Sequence, residues 1–298
     1  MTAAGPNSPT TSTIEGAGGL PLVINRSGPA GGAPVLLLHG GGQNRHAWKV
    51  TAERLAIEGF DVIAADARGH GDSGWSEAGH YDMDYFADDV EHLITHFDRP
   101  PAVVGASMGG MCALLAQGRT GDQLFSAVVL VDVTPRLEID GVERIVGFMG
   151  ANPDGFDSLE AAAEVIAAYN PHRERPKTFD GLRKVLRQRD GRWHWRWDPR
   201  FITGKADTTS ADSADRAIRM KQMADQMHQA AALVTAPTLL VRGGDSDLVS
   251  AESVREFLAV VPHAEYVDVS GAGHMVAGDD NDAFTNAVLD FLIKASSP

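Results

Sequence analysis

The chain has 298 residues, of which 43% are hydrophobic and 22% are charged, a balance typical of a globular protein that buries a large core. Its formal net charge of -14 disfavours nucleic acid and anionic membrane surfaces as partners, because both are negatively charged. The single cysteine, Cys112, excludes an intramolecular disulfide and a thiolate metal cluster. The composition favours a small, neutral or weakly polar ligand.

The first residues of the chain carry neither part of a secretory signal. Residues 1–18 contain no Lys or Arg and no apolar block, so we expect a flexible tail there. No apolar stretch elsewhere approaches the roughly 18 to 20 residues that span a bilayer. These features predict a soluble cytoplasmic protein without a membrane partner.

Short apolar runs alternate with helical patterns along most of the chain, as in a mostly parallel sheet with helices on both faces. Several runs are continuous in Val and Leu, which indicates strands buried on both faces. Strands are predicted at 20–26, 34–40, 60–66, 101–107, 127–133, 237–243 and 264–270. Helices are predicted at 51–58, 84–97, 109–118, 251–260 and 280–294.

The alternation stops between about residue 136 and residue 235, where helical patterns are separated by Pro, Gly and Trp. We interpret residues 136–235 as a helical insertion that leaves the sheet after one strand and returns before the next. The core is then formed by residues 19–135 and 236–298.

Ser107 lies in a GxSxG sequence, GASMG, at a predicted strand-to-helix turn, which is the context that a nucleophilic serine requires. Such a turn strains the serine backbone and leaves no room for a Cβ two residues before or after it, so Gly105 and Gly109 meet a steric demand. The alternative is a small polar residue in a tight turn. The strand and helix on either side favour the nucleophile.

A serine nucleophile needs a base to take its proton and a third group to orient the base. Asp247 follows a predicted buried strand and His274 follows the last strand, which gives the chain order Ser, Asp, His. Each residue lies just beyond the carboxyl end of a strand, where open α/β sheets place their sites. Taken singly, Asp247 is equally compatible with a turn-capping role and His274 with an exposed loop. Their joint arrangement predicts a catalytic triad.

Backbone N–H groups at a Gly-rich turn can hold the oxyanion of an acyl-transfer reaction. The sequence HGGGQN supplies that turn directly after a strand, and no GK[ST] follows it, so a phosphate-binding loop is not indicated. We assign the oxyanion hole to the N–H groups of Gly41 and Met108, with Gly42 as a substitute and as a substrate contact.

These motifs together resemble those of the α/β-hydrolase superfamily over nearly all of residues 19–135 and 232–295. They are HGG at 39–41, DARGHGDS at 66–73, GASMGG at 105–110, GDSD at 244–247 and GH at 273–274. The resemblance implies an α/β-hydrolase fold, with a mostly parallel sheet flanked by helices and a helical cap inserted after the sixth core strand. It also selects Asp247 over Asp245 as the acid, with Asp132 in reserve because some members carry the acid after the preceding strand.

In this family the inner surface of the cap usually sets substrate choice. If the sequence RWHWRW at 192–197 is extended, Trp193, Trp195 and Trp197 point to one side and an Arg on the other side is available to a carboxylate. We therefore name Trp193 and Trp195 as substrate contacts, the alternative being that the tryptophans stabilise the cap. Met220 and Met223 have helical spacing and either line the pocket or pack in a core.

The sequence thus predicts a serine hydrolase that cleaves a carboxylic ester or lactone through an acyl-enzyme on Ser107. It uses no cofactor or metal, takes an apolar or aromatic small molecule, and is compatible with a homo-oligomer. The alternatives are a carbon–carbon hydrolase of ring-cleavage products, a cofactor-free haloperoxidase or perhydrolase, and a noncatalytic ligand receptor. The carbon–carbon hydrolases share the SMGG sequence but typically carry Pro where this chain has Gln43.

Overall fold

A computed structural model describes residues 9–120, 122–169, 178–206, 213–270 and 282–296. The described residues form one eight-stranded sheet, a separate two-stranded hairpin and helices on both faces of the sheet. The sheet strands are β1 (Thr10–Glu15), β2 (Pro21–Ser27), β3 (Ala33–Leu38), β4 (Phe60–Ala65), β5 (Ala102–Ala106), β6 (Ala127–Val131), β9 (Thr238–Gly243) and β10 (Glu265–Val269). The hairpin consists of β7 (Leu186–Arg189) and β8 (Arg192–Trp195).

The sheet has the order β1-β2-β4-β3-β5-β6-β9-β10 and is parallel from β4 to β10. Its central strands are continuous apolar runs because they are covered on both faces. Every strand predicted from the sequence is present within two residues of its expected bounds. The α/β-hydrolase fold expected from the motifs is confirmed.

Helices cover the two faces of this sheet. The core helices are α1 (Lys49–Ile57), α2 (Met83–Ile94), α3 (Met108–Arg119), α9 (Ala251–Val260) and α10 (Asp282–Ser296). Residues of α2, α3 and α9 join the larger apolar cluster on one face, and residues of α1 and α10 join a second cluster on the other. None of the described helices combines the length and apolar character needed to cross a membrane.

Strand β1 pairs antiparallel with β2 at the edge of the sheet, with Thr10 opposite Arg26 and Glu15 opposite Pro21. The flexible tail expected for residues 1–18 therefore does not extend through Thr10–Glu15. The strand was missed because its sequence, TTSTIE, is polar. An edge strand needs backbone pairing on one side only, and most of this one is exposed, so it carries no apolar alternation.

The chain between β6 and β9 contains the helices α4 (Ile139–Gly150), α5 (Leu159–Tyr169), α6 (Asp180–Val185), α7 (Arg200–Ala206) and α8 (Ser213–Ala232). We call residues 136–235 the insertion. The β7–β8 hairpin lies within it, so the segment is not purely helical as expected. Its own small core includes Phe156, Leu159 and Leu186.

Three loops of the core hold the insertion at the carboxyl ends of the parallel strands. After β4, the Gly71 N–H donates to the Arg196 carbonyl at 2.7 Å and the Gly69 carbonyl accepts from the Asp198 N–H at 2.7 Å. After β9, the Leu248 carbonyl accepts from the Glu138 N–H at 3.0 Å. After β3, Gly42 lies against side chains of the insertion. The insertion therefore sits at the sheet edge where α/β folds place their sites.

Candidate active site

Ser107 links β5 to α3 with a backbone that a side chain rarely adopts, φ 46° and ψ -114°. Conformations of this kind cost about 1 to 3 kcal/mol and persist only when the surrounding structure enforces them. A serine at the start of a helix normally caps it through Oγ, but the Ser107 side chain makes no such hydrogen bond. The strained turn therefore presents a hydroxyl that the helix does not use.

Glycines enforce this turn by close packing. A Cβ at Gly105 would lie 2.6 Å from the Gly110 Cα, and a Cβ at Gly109 would lie 2.4 Å from the Leu38 carbonyl oxygen. Both separations are far below van der Waals contact, so only glycine lets α3 approach β5 and β3 this closely. The two glycines of the GxSxG sequence are therefore required by the close packing of this turn.

The loop after β3 lies beside Ser107. A Cβ at Gly40 would be 3.5 Å from the Ser107 Cβ. The Gly40 N–H is already used, because it donates to the Gln43 Oε1 at 3.0 Å. Within the part of the chain that the structure describes, no acceptor pairs with the N–H of Gly41 or of Met108. Two backbone donors thus remain available next to Ser107, as an oxyanion requires.

His39 fixes this loop to the loop after β4. Its Nε2 accepts a hydrogen bond from the Ala67 N–H at 2.9 Å, so its Nδ1 carries the proton and donates to the Gly40 carbonyl at 2.8 Å. Burial lowers the pKa of His39, and the nearby Asp66 carboxylate offsets only part of this effect. His39 is therefore a neutral structural residue that holds Gly40 in place.

The loop at 66–73 is built around buried ion pairs. The Asp66 carboxylate, fully buried, accepts from the Arg45 side chain and backbone and from the Asp72 N–H at 2.8 Å. Arg68 makes a bidentate pair with the buried Asp89, with both distances 2.7 Å. Pairing satisfies these charges internally, so this motif positions the core loops and is not itself a ligand site.

Asp132 follows β6 directly and, like Ser107, has a positive φ, 50°. Its side chain is buried, and its carboxylate accepts from the Gly243 N–H at 3.1 Å and from the Ser246 Oγ at 2.6 Å. Since Ala106 and Val131 are register partners, Asp132 lies at the strand end next to Ser107.

Asp247, the acid selected from the motif, is placed differently. It is about two-fifths exposed, and Arg144 of α4 forms a bidentate ion pair with it. The Arg144 Nε donates to Oδ2 at 2.5 Å and Nη2 donates to Oδ1 at 2.9 Å. Hydrogen bonding to the Asp247 carboxylate raises the pKa of the Arg144 guanidinium. His274 lies outside the described residues.

Trp193, Met220 and Met223 were expected to contact substrate. Trp193 packs on the small core of the insertion, with the Arg183 Cζ 5.3 Å from its ring centre. Met223 packs against the larger core, and Met220 is half-buried on α8. None of the described contacts of these three residues involves Ser107 or the loop after β3.

Trp195 belongs to a continuous run of aromatic rings, which we call the ring wall. Trp197 stacks on Trp195 with 4.6 Å between ring centres, and Phe148 lies 5.8 Å from Trp195. Tyr169 stacks on Phe148 at 4.0 Å. At one end, a Cβ at Gly42 would lie 3.3 Å from Trp197, so the ring wall reaches the loop after β3.

Sequence reasoning missed Arg144, Phe148 and Tyr169. A signal existed for the first two, because Gly141, Arg144 and Phe148 are spaced by three and four residues and share one face of α4. The Gly141 position packs on the Asp247 backbone, where a Cβ would meet the Asp247 carbonyl oxygen at 2.5 Å. That face therefore points at the loop after β9.

A family model for the alpha/beta hydrolase fold matches residues 33–280, so the chain belongs to the α/β hydrolase family. It is 31% identical over 272 residues to the esterase Rv0045c of Mycobacterium tuberculosis, covering 88% of this chain and 84% of the relative. It is 29% identical over 272 residues to a 2-(acetamidomethylene)succinate hydrolase of Mesorhizobium japonicum, covering 91% of this chain and 92% of the relative.

A solved structure, that of an E-2-(acetamidomethylene)succinate hydrolase, shares the fold. It superposes with a TM-score of 0.78 at 24% identity, covering 96% of this chain and 99% of that chain. The family and the esterase relative support a hydrolase function for this protein.

Proposed function

We propose that this protein is a serine hydrolase that cleaves a carboxylic ester or lactone through an acyl-enzyme on Ser107. The single observation that carries the proposal is the strained Ser107 backbone beside the N–H groups of Gly41 and Met108. Strained backbone of this kind clusters at functional sites, and the hydroxyl and the two donors could here act on one carbonyl group.

In the proposed reaction the base, His274, takes the proton from the Ser107 hydroxyl as Oγ attacks the carbonyl carbon. The carbonyl oxygen becomes an oxyanion that accepts from the N–H groups of Gly41 and Met108. When this tetrahedral intermediate collapses, its bond to the alkoxy oxygen breaks. The alcohol leaves with the proton from His274, and the acyl group remains on Ser107. Water, deprotonated by His274, then attacks the acyl carbon, the bond to the Ser107 Oγ breaks as His274 returns the proton to Oγ, and the carboxylic acid leaves.

The acid that orients the base is either Asp247, as the family pattern suggests, or Asp132. Two observations favour Asp132: it is buried at the strand end beside Ser107, and its described donors are neutral. The charge of Asp247 is already balanced by Arg144, which weakens the field that it can exert on an imidazolium. We therefore propose Asp132 for this role and treat Asp247 as the alternative.

The insertion is proposed to be a cap over this site. It is hydrogen-bonded or packed to the loops that follow β3, β4 and β9, and Ser107 follows β5, which lies between β3 and β9 in the sheet. A cover of this kind excludes water from the oxyanion and shapes the pocket.

The test is a burst experiment with p-nitrophenyl esters of increasing chain length, combined with intact mass measurement. We expect a burst of p-nitrophenol and an acyl adduct on Ser107, both absent from Ser107→Ala. Turnover that survives in Ser107→Ala overturns the proposal. Peroxide-dependent halogenation, or cleavage of a dienol ring-cleavage product in place of esters, identifies the rival reaction on the same nucleophile.

A further inference from the structure

The insertion is rich in arginine, and two arginines near the ring wall, Arg192 and Arg196, form ion pairs with aspartates. Arg192 pairs with Asp157 and donates to the Asp154 carbonyl at 2.8 Å. Arg196 pairs with Asp72 at 2.6 Å. Arg144 also pairs with a carboxylate, that of Asp247, but it lies at the end of the ring wall, against Tyr169.

The ring wall and Arg144 connect two loops on either side of the nucleophile. Trp197 contacts the loop after β3 at Gly42, and Arg144 contacts Asp247 in the loop after β9. Strands β5 and β6 lie between β3 and β9, so the two loops are about three strand spacings, roughly 14 Å, apart. The ring wall therefore bridges the strand ends that include the Ser107 turn.

Two polar donors remain at the Arg144 end of the ring wall. The Arg144 Cζ lies 4.6 Å from the Tyr169 ring centre, and its Nε and Nη2 are bonded to Asp247. Within the described residues, no acceptor pairs with the Arg144 Nη1 or with the Tyr169 hydroxyl. Burial raises the pKa of Tyr169, so its hydroxyl stays protonated and can donate.

We propose that Arg144 and Tyr169 form the anion-recognition end of the substrate site, so that the preferred substrate is an ester with an apolar or aromatic body and a free carboxylate. This inference rests on the proposed function, since it names the substrate class of the same site. The rings contact the body of the substrate, while Arg144 Nη1 and the Tyr169 hydroxyl donate to its carboxylate. A guanidinium and a phenol together give directed donors for a planar anion.

Asp247 holds Arg144 in this position and also repels the incoming anion. Its bidentate bonds fix the guanidinium plane against Tyr169, which removes the cost of ordering a long side chain on binding. Its charge opposes a second carboxylate a few ångströms away, which limits affinity. Removal of that charge with the shape retained, in Asp247→Asn, is therefore expected to lower KM for an anionic ester.

The test compares two matched pairs of esters that differ only in one charge. The first pair is p-nitrophenyl hydrogen adipate and its methyl ester, which place the carboxylate on the acyl side. The second is p-carboxyphenyl butyrate and its methyl ester, which place it on the alcohol side. The measured quantity is the ratio of kcat/KM for the anionic ester to kcat/KM for the neutral ester.

In Arg144→Gln we expect this ratio to fall about 10- to 100-fold for at least one pair, chiefly because KM for the anionic ester rises. This fold-change corresponds to the loss of a hydrogen bond to a charged group. Arg136→Gln is the matched control, since Arg136 is a half-exposed arginine of the insertion that also pairs with core carboxylates, Glu252 and Glu256. It should leave the ratio unchanged. A ratio unaltered in Arg144→Gln for both pairs overturns the inference.

A binding measurement separates this inference from the proposed function. Quenching of tryptophan fluorescence by p-toluate, an aromatic carboxylate, is measured with Ser107→Ala protein and with the Ser107→Ala/Arg144→Gln double variant. We expect binding that weakens about 10-fold or more without Arg144. Binding that is absent, or equal in both proteins, overturns the inference even if esters are hydrolysed. Arg144-dependent binding without any ester turnover retains the anion site and overturns the hydrolase proposal.

Discussion

Ser107 and Asp132 occupy equivalent positions at the ends of adjacent parallel strands, and both have a positive φ, 46° and 50°. Each directly follows one member of the register pair Ala106 and Val131. In addition, the Ser107 N–H donates to the Val131 carbonyl at 2.9 Å, so the two turns share a hydrogen bond. Two strained backbone positions at the ends of neighbouring strands are a feature that commonly marks a functional site.

The first prediction concerns the acid. Asp132→Asn should lower kcat about 10³- to 10⁴-fold, because an amide leaves the base without a negative charge and favours the wrong tautomer. Asp247→Asn should lower kcat for neutral esters far less, since its charge is balanced by Arg144. Steady-state kinetics checks the order of the two effects.

A structural effect of Asp132→Asn must be separated from a catalytic one, because the carboxylate also accepts from Gly243 and Ser246. The acidic limb of the kcat/KM pH profile provides that separation. Loss of a carboxylate that supports the base moves this limb to lower pH, whereas loosening of the loop alone does not. The reverse order, with Asp247→Asn the more damaging, would return the acid role to Asp247.

The second prediction concerns stored strain at Ser107. Its angles, φ 46° and ψ -114°, match the first central position of a type II′ turn, which glycine adopts freely. Ser107→Gly should therefore be about 1 kcal/mol more stable than Ser107→Ala, although both are inactive. Denaturant unfolding measures the difference, and equal stabilities would mean that the turn holds no strain.

The third prediction concerns close packing at the same turn. Gly109→Ala should destabilise the protein by about 2 kcal/mol or more, since its Cβ would overlap the Leu38 carbonyl oxygen. Gly147→Ala is the matched control, because this helical glycine of α4 has open space around its Cβ position. That change should add up to about 1 kcal/mol of helix stability. Thermal unfolding of the two variants should therefore shift in opposite directions.

The fourth prediction concerns His39 and pH. Its folded-state pKa is lowered by burial, so below the unfolded pKa of about 6.5 the unfolded chain binds a proton that the folded chain does not. The contribution of His39 to the free energy of unfolding is therefore fully present above about pH 6.5. It is lost as the pH falls, by up to about 1.4 kcal/mol per pH unit. Protonation would also remove the hydrogen bond that Nε2 accepts from Ala67.

His39→Asn tests this assignment. The variant should be less stable at pH 8 but should lose less additional stability between pH 7 and pH 5 than the native chain, as measured by urea unfolding. Burial also lowers the pKa of His46, together with the charge of Arg45, so part of the slope should remain. Parallel slopes in the two proteins would exclude His39 as a contributor.

The sequence was sufficient for the features that depend on local chemistry. Continuous apolar runs marked the buried strands β3 to β6, and the glycines around Ser107 marked a turn in which a Cβ at either glycine would overlap neighbouring backbone atoms. Strand β1 was not predicted because a polar edge strand shows no alternation of apolar and polar residues. Strand β8 lies within the RWHWRW stretch for which an extended form was considered, whereas its partner β7 was not predicted.

The sequence alone does not indicate which side chains far apart along the chain form pairs. Arg144 and Asp247 are 103 residues apart, and nothing in either local sequence shows that they meet. The same holds for Arg196 and Asp72, which pair across 124 residues of sequence. Which arginine faces a site is decided by tertiary packing, and helical spacing narrows the choice only after the helix has been placed.

The insertion is fastened to the loop after β4 through main-chain atoms, those of Arg196 and Asp198 meeting those of Gly71 and Gly69. The rings that line the ring wall, Trp195 and Trp197, alternate with these fastening residues. The attachment therefore uses the main chain of this short stretch together with the Arg196–Asp72 ion pair, whereas the tryptophan side chains take no part in these bonds. Substitution of these two aromatic side chains would therefore leave the attachment bonds in place, so the surface that the insertion presents can change while its connection to the core is kept.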